Sequence, residues 1–232
     1  MFKKIFIVLT IFLCFGLWWR YYLHKQDLLG QQLVADAYNG DLPAVKQDIE
    51  AGAPLSYELN FNDEVREYTG VTFNALHAAA SSGDEDLITY LIKEQNFNIN
   101  YATEKGWTPL FIAARDGQAE AAKLLVFYQA DLNAQTDLGA TALLMALTQP
   151  FETEQVRQDL LKYMLKRGAD VNRLTAEKHS PLYYTLLEEK PELAEMMCSF
   201  GARLTDEEKN KLTEEEKQDF ALSAEQRALC AF

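Results

Sequence analysis

Apolar residues recur along this chain in short groups with helical spacing, and the groups repeat at a nearly constant interval. The clearest copy covers residues 106–133, GWTPLFIAARDGQAEAAKLLVFYQADLN. Thr108 can cap a helix and Pro109 takes a first-turn position where no backbone donor is lost, so a helix is predicted to begin here and to end at Gly117. Apolar residues on one face predict a second helix from about Ala119 to Tyr128. The segment is therefore predicted to be one helix–turn–helix unit.

The same pattern occurs four more times, which makes the chain an array. The further copies cover residues 32–55, 74–100, 139–172 and 179–205. Gly83 and Gly117, at equivalent positions of two copies, stand 34 positions apart. A period of this size is typical of stacked units that bury their apolar faces only against their neighbours. The sequence therefore predicts an all-α solenoid of about five helix–turn–helix units. Residues 206–232 are predicted to form a helical cap, introduced by the capping-box spacing of Thr205 and Glu208.

The unit resembles the ankyrin repeat, whose usual pattern is G-x-T-P-L-H-x-A-A, then G-x-x-E, L-L and G-A-D-x-N. Residues 106–133 and 139–172 match this pattern closely, whereas the first and last copies, 32–55 and 179–205, match it more loosely. The resemblance covers residues 32–205. It implies an ankyrin-repeat solenoid with finger turns, which binds other proteins through those fingers and the first helix of each unit. It also implies that His77 is a structural histidine that forms a hydrogen bond between neighbouring units.

Two links are longer than the repeat requires. The link from Gly52 to Asn74 has about ten additional residues, among them aromatic and acidic side chains. Aromatic side chains in an exposed loop are typical of recognition hot spots. The alternative is a hairpin that seals the gap between the first unit and the next. The second excess, about six residues around Thr148 to Gln155, predicts a lengthened link between the two helices of the fourth unit.

The candidate binding residues follow from these departures and from the variable surface positions of the family. Trp107 is the sharpest candidate, because a tryptophan is larger than the turn requires and exposed tryptophan and arginine are frequent interface anchors. The alternative for Trp107 is packing over a neighbouring finger. The full set of candidates for partner binding is Tyr57, Phe61, Tyr68, Phe73, Ser81, Ser82, Glu104, Lys105, Trp107, Arg115 and Asp116.

The first 25 residues have a different pattern. Two lysines precede a run without charge from Ile5 to Trp19, and a cluster of aromatic residues follows. This pattern predicts a single-pass membrane anchor through residues 2–23, with aromatic rings at the water–lipid interface. A cleaved export signal is the alternative, although the cluster offers no small residues for cleavage. The two lysines favour a cytoplasmic start, which predicts a repeat domain on the periplasmic side of a bacterial inner membrane after a joint at residues 26–31.

Charge and composition exclude several functions. The chain has 22 basic and 35 acidic side chains and a formal net charge of −13. This balance argues against nucleic acid as a partner, because affinity for phosphate backbones comes from lysine and arginine. It favours instead a protein partner with a basic patch.

Candidate chemistry is sparse. The three histidines, His24, His77 and His179, have no paired-ligand spacing, and no nucleophile or phosphate-loop motif accompanies them. We therefore expect no enzyme activity, no cofactor, no metal and no small-molecule substrate. Cys198 and Cys230 could form one bridge in an oxidising compartment, whereas two unpaired thiols are the commoner arrangement.

Together these features predict a membrane-tethered adaptor or inhibitor that captures another protein. Two more specific versions are an immunity protein that neutralises a toxin at the cell envelope and a protein that supports an oxidative-stress enzyme. The alternative of a different class is a secreted ankyrin effector that acts on host proteins after its export signal is cleaved. The N-terminus of the mature protein would distinguish a tether from an export signal.

Overall fold

The structure is a computed structural model that describes residues 2–61, 71–188 and 190–211, without the side chains of residues 2–16, 60 and 61. Most of the described chain is helical, and a two-stranded antiparallel sheet lies in the first long link. The elements are α1 (Phe2–Tyr38), α2 (Leu42–Glu50), β1 (Leu59–Phe61), β2 (Val71–Phe73), α3 (Ala75–Ser82), α4 (Glu85–Lys93), α5 (Pro109–Arg115), α6 (Ala119–Phe127), α7 (Ala142–Thr148), α8 (Glu154–Lys166), α9 (Pro181–Leu187), α10 (Pro191–Ser199) and α11 (Asp206–Lys211).

The helices form consecutive pairs that stack on one another, as expected for a solenoid. The first helix of each of four units begins after a residue whose side-chain oxygen accepts a backbone N–H, as the capping rule requires; these residues are Asn74, Thr108, Thr141 and Ser180. The predicted helix after Thr108 and the predicted helix from Ala119 are both confirmed. First helices contact first helices of the next unit, and α4, α6 and α8 form a second row in which each contacts the next.

The core is built from the same position of successive units. The leucine two residues after each cap is fully or almost fully buried; these leucines are Leu76, Leu110, Leu143 and Leu182. Each such burial stabilises the fold by about 1.5–3 kcal/mol relative to an exposed side chain. Since every leucine packs between neighbouring units, the apolar core is continuous along the array.

An asparagine at the end of each outer loop joins its unit to the next. The side-chain oxygens of Asn100, Asn133 and Asn172 accept the backbone N–H of Asp131, Asp170 and Arg203, at 2.8, 2.7 and 2.8 Å. The amide nitrogens of Asn133 and Asn172 donate to carbonyl oxygens of the following unit, at 3.3 and 3.0 Å. We call these residues the asparagine ladder. Each of these asparagines bonds to a residue about one repeat further along the chain, which explains why an asparagine recurs at the end of the repeat pattern.

Helix α1 runs without interruption from Phe2 to Tyr38, through the segment 26–31 that was predicted to be a joint. Its last turns carry Leu33, Val34 and Ala37, all completely buried, and it packs against α2 and α3. These turns therefore serve as the first helix of the first unit.

Among the residues that the structure describes, none of the helices combines the length and the apolar composition that a membrane span needs. The prediction of a single-pass membrane protein, anchored through residues 2–23 with its repeats in the periplasm, is therefore wrong. Arg20 lies inside the predicted span, and Lys25 and Asp27 follow it within two turns, so this part of α1 would bring charged side chains to the hydrocarbon, where they are costly.

Two carboxyl groups meet where α1 packs against α2. Asp48 is buried and forms a side-chain hydrogen bond with Asp36, while its Oδ2 atom is buried without a hydrogen-bond partner. Burial, together with the neighbouring Asp36 carboxyl group, raises the pKa of Asp48 to about 6. In mildly acidic solution Asp48 is therefore protonated, and its carboxyl group can donate the hydrogen bond to Asp36 that joins α1 to α2.

The first long link contains a hairpin, one of the two alternatives for this segment. Strands β1 and β2 are antiparallel, with Leu59 opposite Phe73 and Phe61 opposite Val71. Phe73 is completely buried and Val71 nearly so, because the hairpin packs on the helices beside it. The solenoid is therefore not purely helical, and the link covers the junction between the first two units.

The excess residues of the fourth unit lengthen a helix more than a link. Helix α8 has 13 residues, whereas the equivalent helix α6 has nine. The connection before α8 comprises residues 149–153, whereas residues 116–118 suffice before α6. The buried Arg157 holds this connection, since its guanidinium donates to the carbonyl of Gln149 at 2.8 Å and lies 3.0 Å from Glu154. The prediction of a lengthened link is thus correct for two of the additional residues, whereas the other four extend the helix.

At the other end of the array, Glu208 caps two helices. Its carboxylate accepts the N–H of Thr205 at 2.7 Å while its own N–H donates to the Thr205 hydroxyl at 3.2 Å, which confirms the predicted capping box. The same carboxylate accepts the N–H and the hydroxyl of Ser180, at 2.5 and 2.9 Å. Residues 212–232, including Cys230, lie outside the described residues. Cys198 on α10 is disulfide-bonded, so the expectation of an unpaired thiol there is wrong.

Candidate protein-binding surface

Each finger turn is closed by a threonine that pairs with the residue before the helix cap. The N–H of Thr103 donates to the Trp107 carbonyl at 3.0 Å, and the Trp107 N–H donates to the Thr103 hydroxyl at 3.1 Å. The same two bonds join Thr136 to Ala140 and Thr175 to His179. The fingers therefore present one residue in a fixed position, and in the third unit that residue is Trp107.

Successive fingers are bonded to each other through their tips. The N–H of Asp137 donates to the carbonyl of Lys105 at 3.0 Å, and the N–H of Ala176 donates to the carbonyl of Leu138 at 2.9 Å. Gly139 has a positive φ of 74°, and a Cβ at this position would lie 2.5 Å from the backbone nitrogen of Ala176. Close approach as well as backbone conformation therefore requires glycine at the finger tip.

Trp107 is the centre of an aromatic and cationic group. The Arg115 guanidinium carbon lies 4.8 Å from the centre of the Trp107 ring and the Lys105 ammonium nitrogen 5.9 Å from it. The Phe111 ring is 5.6 Å away and tilted by 33°. We call Lys105, Trp107, Phe111 and Arg115 the Trp107 cluster. Its indole is half-buried, so one part of the ring packs on the fold and the other reaches solvent.

His77 connects this cluster to the unit before it. Its Nε2 atom lies 3.0 Å from the Trp107 carbonyl oxygen, and its Nδ1 atom lies 2.8 Å from the Asn74 side-chain oxygen. Complete burial lowers the pKa of His77 to about 4, so the ring is neutral at physiological pH. A neutral imidazole has one N–H, so the ring donates to one of these two oxygens at a time. The predicted histidine contact between neighbouring units is confirmed.

The ends of the first helices are joined in a similar way. The Ser81 hydroxyl donates to the Asp116 carboxylate at 2.6 Å, and the Gln118 amide donates to the Ser81 carbonyl at 3.1 Å. The Ser82 hydroxyl donates within its own helix, to the Ala79 carbonyl at 2.9 Å. These contacts hold Asp116, which directly follows Arg115 of the Trp107 cluster, at the end of α5.

The structure brings only part of the candidate set together. Lys105, Trp107 and Arg115 form one group, and Glu104 is exposed beside it. Phe73 and Ser81 are completely buried, so neither side chain reaches the surface in this conformation.

Tyr57 packs on α1 instead of standing free in the long link. Its hydroxyl donates to Asp27 at 2.7 Å, and its ring occupies the place that a side chain at Gly30 would need. The side chain of Phe61 and the whole of Tyr68 lie outside the described residues.

One exposed aromatic residue of this surface has no counterpart in the sequence-based set. Tyr101 is 39% exposed, donates a hydrogen bond to Glu58 at the base of the hairpin, and meets the His77 ring edge-on at 6.0 Å. The hydrogen bond to Glu58 raises the pKa of Tyr101. Glu58 also accepts from the Thr72 hydroxyl at 3.1 Å. No local pattern marks Tyr101, because its partner is 43 positions away along the chain.

Comparison with known proteins identifies the repeat. Residues 33–136 match the ankyrin repeat family, with three copies. Delta-latroinsectotoxin-Lt1a of Latrodectus tredecimguttatus is 42% identical over 64 residues, which are 27% of this chain and 5% of the toxin. Protein phosphatase 1 regulatory subunit 12A of Rattus norvegicus is 32% identical over 111 residues, 47% of this chain and 10% of the subunit.

Protein phosphatase 1 regulatory subunit 27 of Homo sapiens is 40% identical over 65 residues, 28% of this chain and 42% of that protein. The chain thus covers less than half the length of each of these three relatives. The similarity concerns the repeats.

Proposed function

The chain contains repeats of the ankyrin family, and on this premise we propose that it is an adaptor or inhibitor that binds a protein partner through its finger turns and first helices. Family and relatives support a protein–protein interaction module. Two of the relatives are named as regulatory subunits of a phosphatase. The observation that carries the proposal is the Trp107 cluster, which no requirement of the repeat explains.

The Trp107 cluster has the properties of an interface anchor. Tryptophan and arginine are enriched among the residues that dominate binding free energy, and they act best when they are held rigidly. The Trp107 backbone is fixed by Thr103 and His77, and the ring contacts Phe111 and Arg115. Little conformational entropy remains to be lost when a partner covers the exposed part of the ring.

The partner carries a basic patch in this proposal. The net charge of −13 favours encounter with a basic surface, and the exposed carboxylates of Glu104 and Asp137 stand on the finger tips beside Lys105. Electrostatic attraction of this kind acts mainly on the association rate and weakens with salt. The exposed tip carboxylates would then orient a partner whose apolar part covers the indole.

The test is a comparison of Trp107→Ala with Phe127→Ala. Phe127 is 60% exposed on the outer helix α6, so its removal is a matched loss of one exposed aromatic ring away from the fingers. Proteins captured by the immobilised wild-type chain are quantified by mass spectrometry, and circular dichroism checks that both variants are folded. We expect the amount of specifically captured protein to fall at least tenfold with Trp107→Ala and to stay unchanged with Phe127→Ala. Equal capture by both variants would refute the proposed surface.

A further inference from the structure

The outer helices of the fourth and fifth units border an open groove of about 570 Å³. Helix α8 forms one wall with Lys162 and Lys166, and helix α10 forms the other with Glu192 and Glu195. Met196, which is almost completely buried, and Phe200, which is 37% exposed, are the apolar residues of the lining. We call this the α8–α10 groove. It lies on the outer helices, whereas the Trp107 cluster lies on a finger and a first helix.

At two other outer junctions of the array, a lysine lies over a tyrosine ring. The Lys46 ammonium lies 4.9 Å from the Tyr90 ring between α2 and α4. Between α4 and α6, Lys93 lies 5.2 Å from the Tyr128 ring. Here the lysine is the last residue of its helix and the tyrosine is the residue that caps the next outer helix.

Lys166 and Phe200 hold the same two positions at the last junction. Lys166 is the last residue of α8 and Phe200 caps α10, yet within the described chain they form no cation–π contact and instead line the groove. Within the described residues, the last outer junction therefore lacks the cation–π contact that joins α4 to α6, and the space between its two helices is open as the α8–α10 groove.

The two walls of the groove carry opposite charges that do not neutralise each other. Lys162 and Lys166 are one helical turn apart on α8, as are Glu192 and Glu195 on α10. In the described part of the chain, neither lysine has a carboxylate within ion-pair distance. The lining runs from Gln158 to Lys166 on α8 and from Glu192 to Ser199 on α10, so each wall extends over about 12 Å. A bound helix of about two turns would match this length.

We propose that the α8–α10 groove binds an amphipathic helix of a partner protein that has an acidic edge and a basic edge. Its apolar face covers Met196 and Phe200, its acidic edge meets the two lysines of α8, and its basic edge meets the two glutamates of α10. Helices bind in grooves of this kind through apolar anchors at spacings of three and four residues. The opposite charges of the walls select one direction of the bound helix, because a reversed helix would face like charges.

The experiment uses the full chain and three synthetic helical peptides of about 14 residues with the same apolar face. The first peptide has one edge of glutamates and one of lysines, the second has lysines on both edges, and the third has glutamates on both. Binding is measured by fluorescence anisotropy in low salt. We expect the mixed-edge peptide to bind the wild-type chain at least tenfold more tightly than either of the others.

The variant Lys162→Glu with Lys166→Glu makes both walls acidic. We expect it to reverse the preference, so that the peptide with two lysine edges binds at least tenfold more tightly than the mixed-edge peptide. Lys209→Glu with Lys211→Glu on α11 has the same change in net charge and should leave the preference unchanged. Phe200→Ser, which removes the exposed apolar side chain of the lining, should weaken binding of the mixed-edge peptide by at least fivefold.

Three results would overturn the proposal. The first is equal binding of the three peptides, or an unchanged preference in the double-lysine variant. The second is loss of peptide binding in Trp107→Ala with binding retained in Phe200→Ser, which would place the peptide on the finger surface. The third is a dimer of the chain, detected by light scattering, that dissociates in the double-lysine variant, because the groove would then hold a second copy. Failure of these peptides to bind leaves the function proposed for the Trp107 cluster unaffected.

Discussion

Replacing Asp48 by asparagine should stabilise the protein at neutral pH and leave its stability unchanged in acid. Asp48 and Asp36 share a hydrogen bond at the α1–α2 contact, and the pKa of Asp48 is raised from 3.8 to about 6 by burial and by this neighbour. The folded state therefore binds the proton more tightly than the unfolded state. The resulting stabilisation is complete below pH 3.8 and is lost as the pH rises through 6.

The magnitude follows from the size of the pKa change. A rise from 3.8 to about 6 corresponds to roughly 3 kcal/mol between the two protonation states. Partial contact of Asp36 with solvent screens the pair, which leaves about 1–2 kcal/mol. Asparagine has the shape of the neutral acid and can donate to Asp36 at any pH. We therefore expect Asp48→Asn to be more stable than wild type by about 1–2 kcal/mol at pH 7.5 and equal to it at pH 4.

The assay is urea unfolding followed by circular dichroism at the two pH values, with free energies from linear extrapolation. Comparison with wild type at each pH is essential, because the contribution of His77 to stability has the opposite pH dependence. Its folded pKa of about 4 lies below the ordinary value of 6.5, so its contribution is complete above pH 6.5 and is lost as the pH falls through 4. Asp137→Asn, an exposed position, is the control for loss of one carboxylate. A constant difference between Asp48→Asn and wild type at both pH values would refute the reasoning.

Three further changes test the joints between units by the same unfolding assay. Gly139→Ala should lower the free energy of unfolding by about 2–4 kcal/mol, because the alanine side chain would meet the next finger. Gly52→Ala is the control, since Gly52 has a positive φ but open space around it, and should cost only about 1 kcal/mol. Equal costs of the two substitutions would contradict the close approach at Gly139. Asn133→Ala removes two bonds of the asparagine ladder and should cost about 1–2 kcal/mol, whereas the exposed Asn39→Ala should change stability by less than about 0.5 kcal/mol. Glu208→Ala leaves three hydrogen-bond donors without their acceptor and should lower the free energy of unfolding by about 3 kcal/mol or more. A loss below about 1 kcal/mol would show that water replaces the carboxylate.

Features that depend on a few neighbouring residues were predictable from the sequence. The cap at Thr108, the first-turn Pro109 and the capping box at Thr205 obey local rules, and the structure confirms each of them. The contact of His77 with the next unit was also predictable, because a repeat places equivalent residues in equivalent surroundings.

Features that depend on contacts between distant residues were not predictable. Phe73 and Tyr57 have the residue types of a recognition loop, yet the fold of the hairpin and of α1 decides that they pack inward. Similarly, the spacing in the fourth unit shows an excess of residues but not that most of it extends α8. The apolar N-terminal run suggested a membrane span, whereas the structure continues the same helix into the first repeat.

The asparagine ladder has a mechanical consequence. Its bonds between units join residues about one repeat apart, 31 and 37 positions along the chain. Because each rung ties a unit only to its neighbour, the rungs bear a pulling force in series. Tension applied to the two ends would detach units one after another, beginning at an end of the array. The stack would lengthen in steps of one unit rather than rupture as a whole.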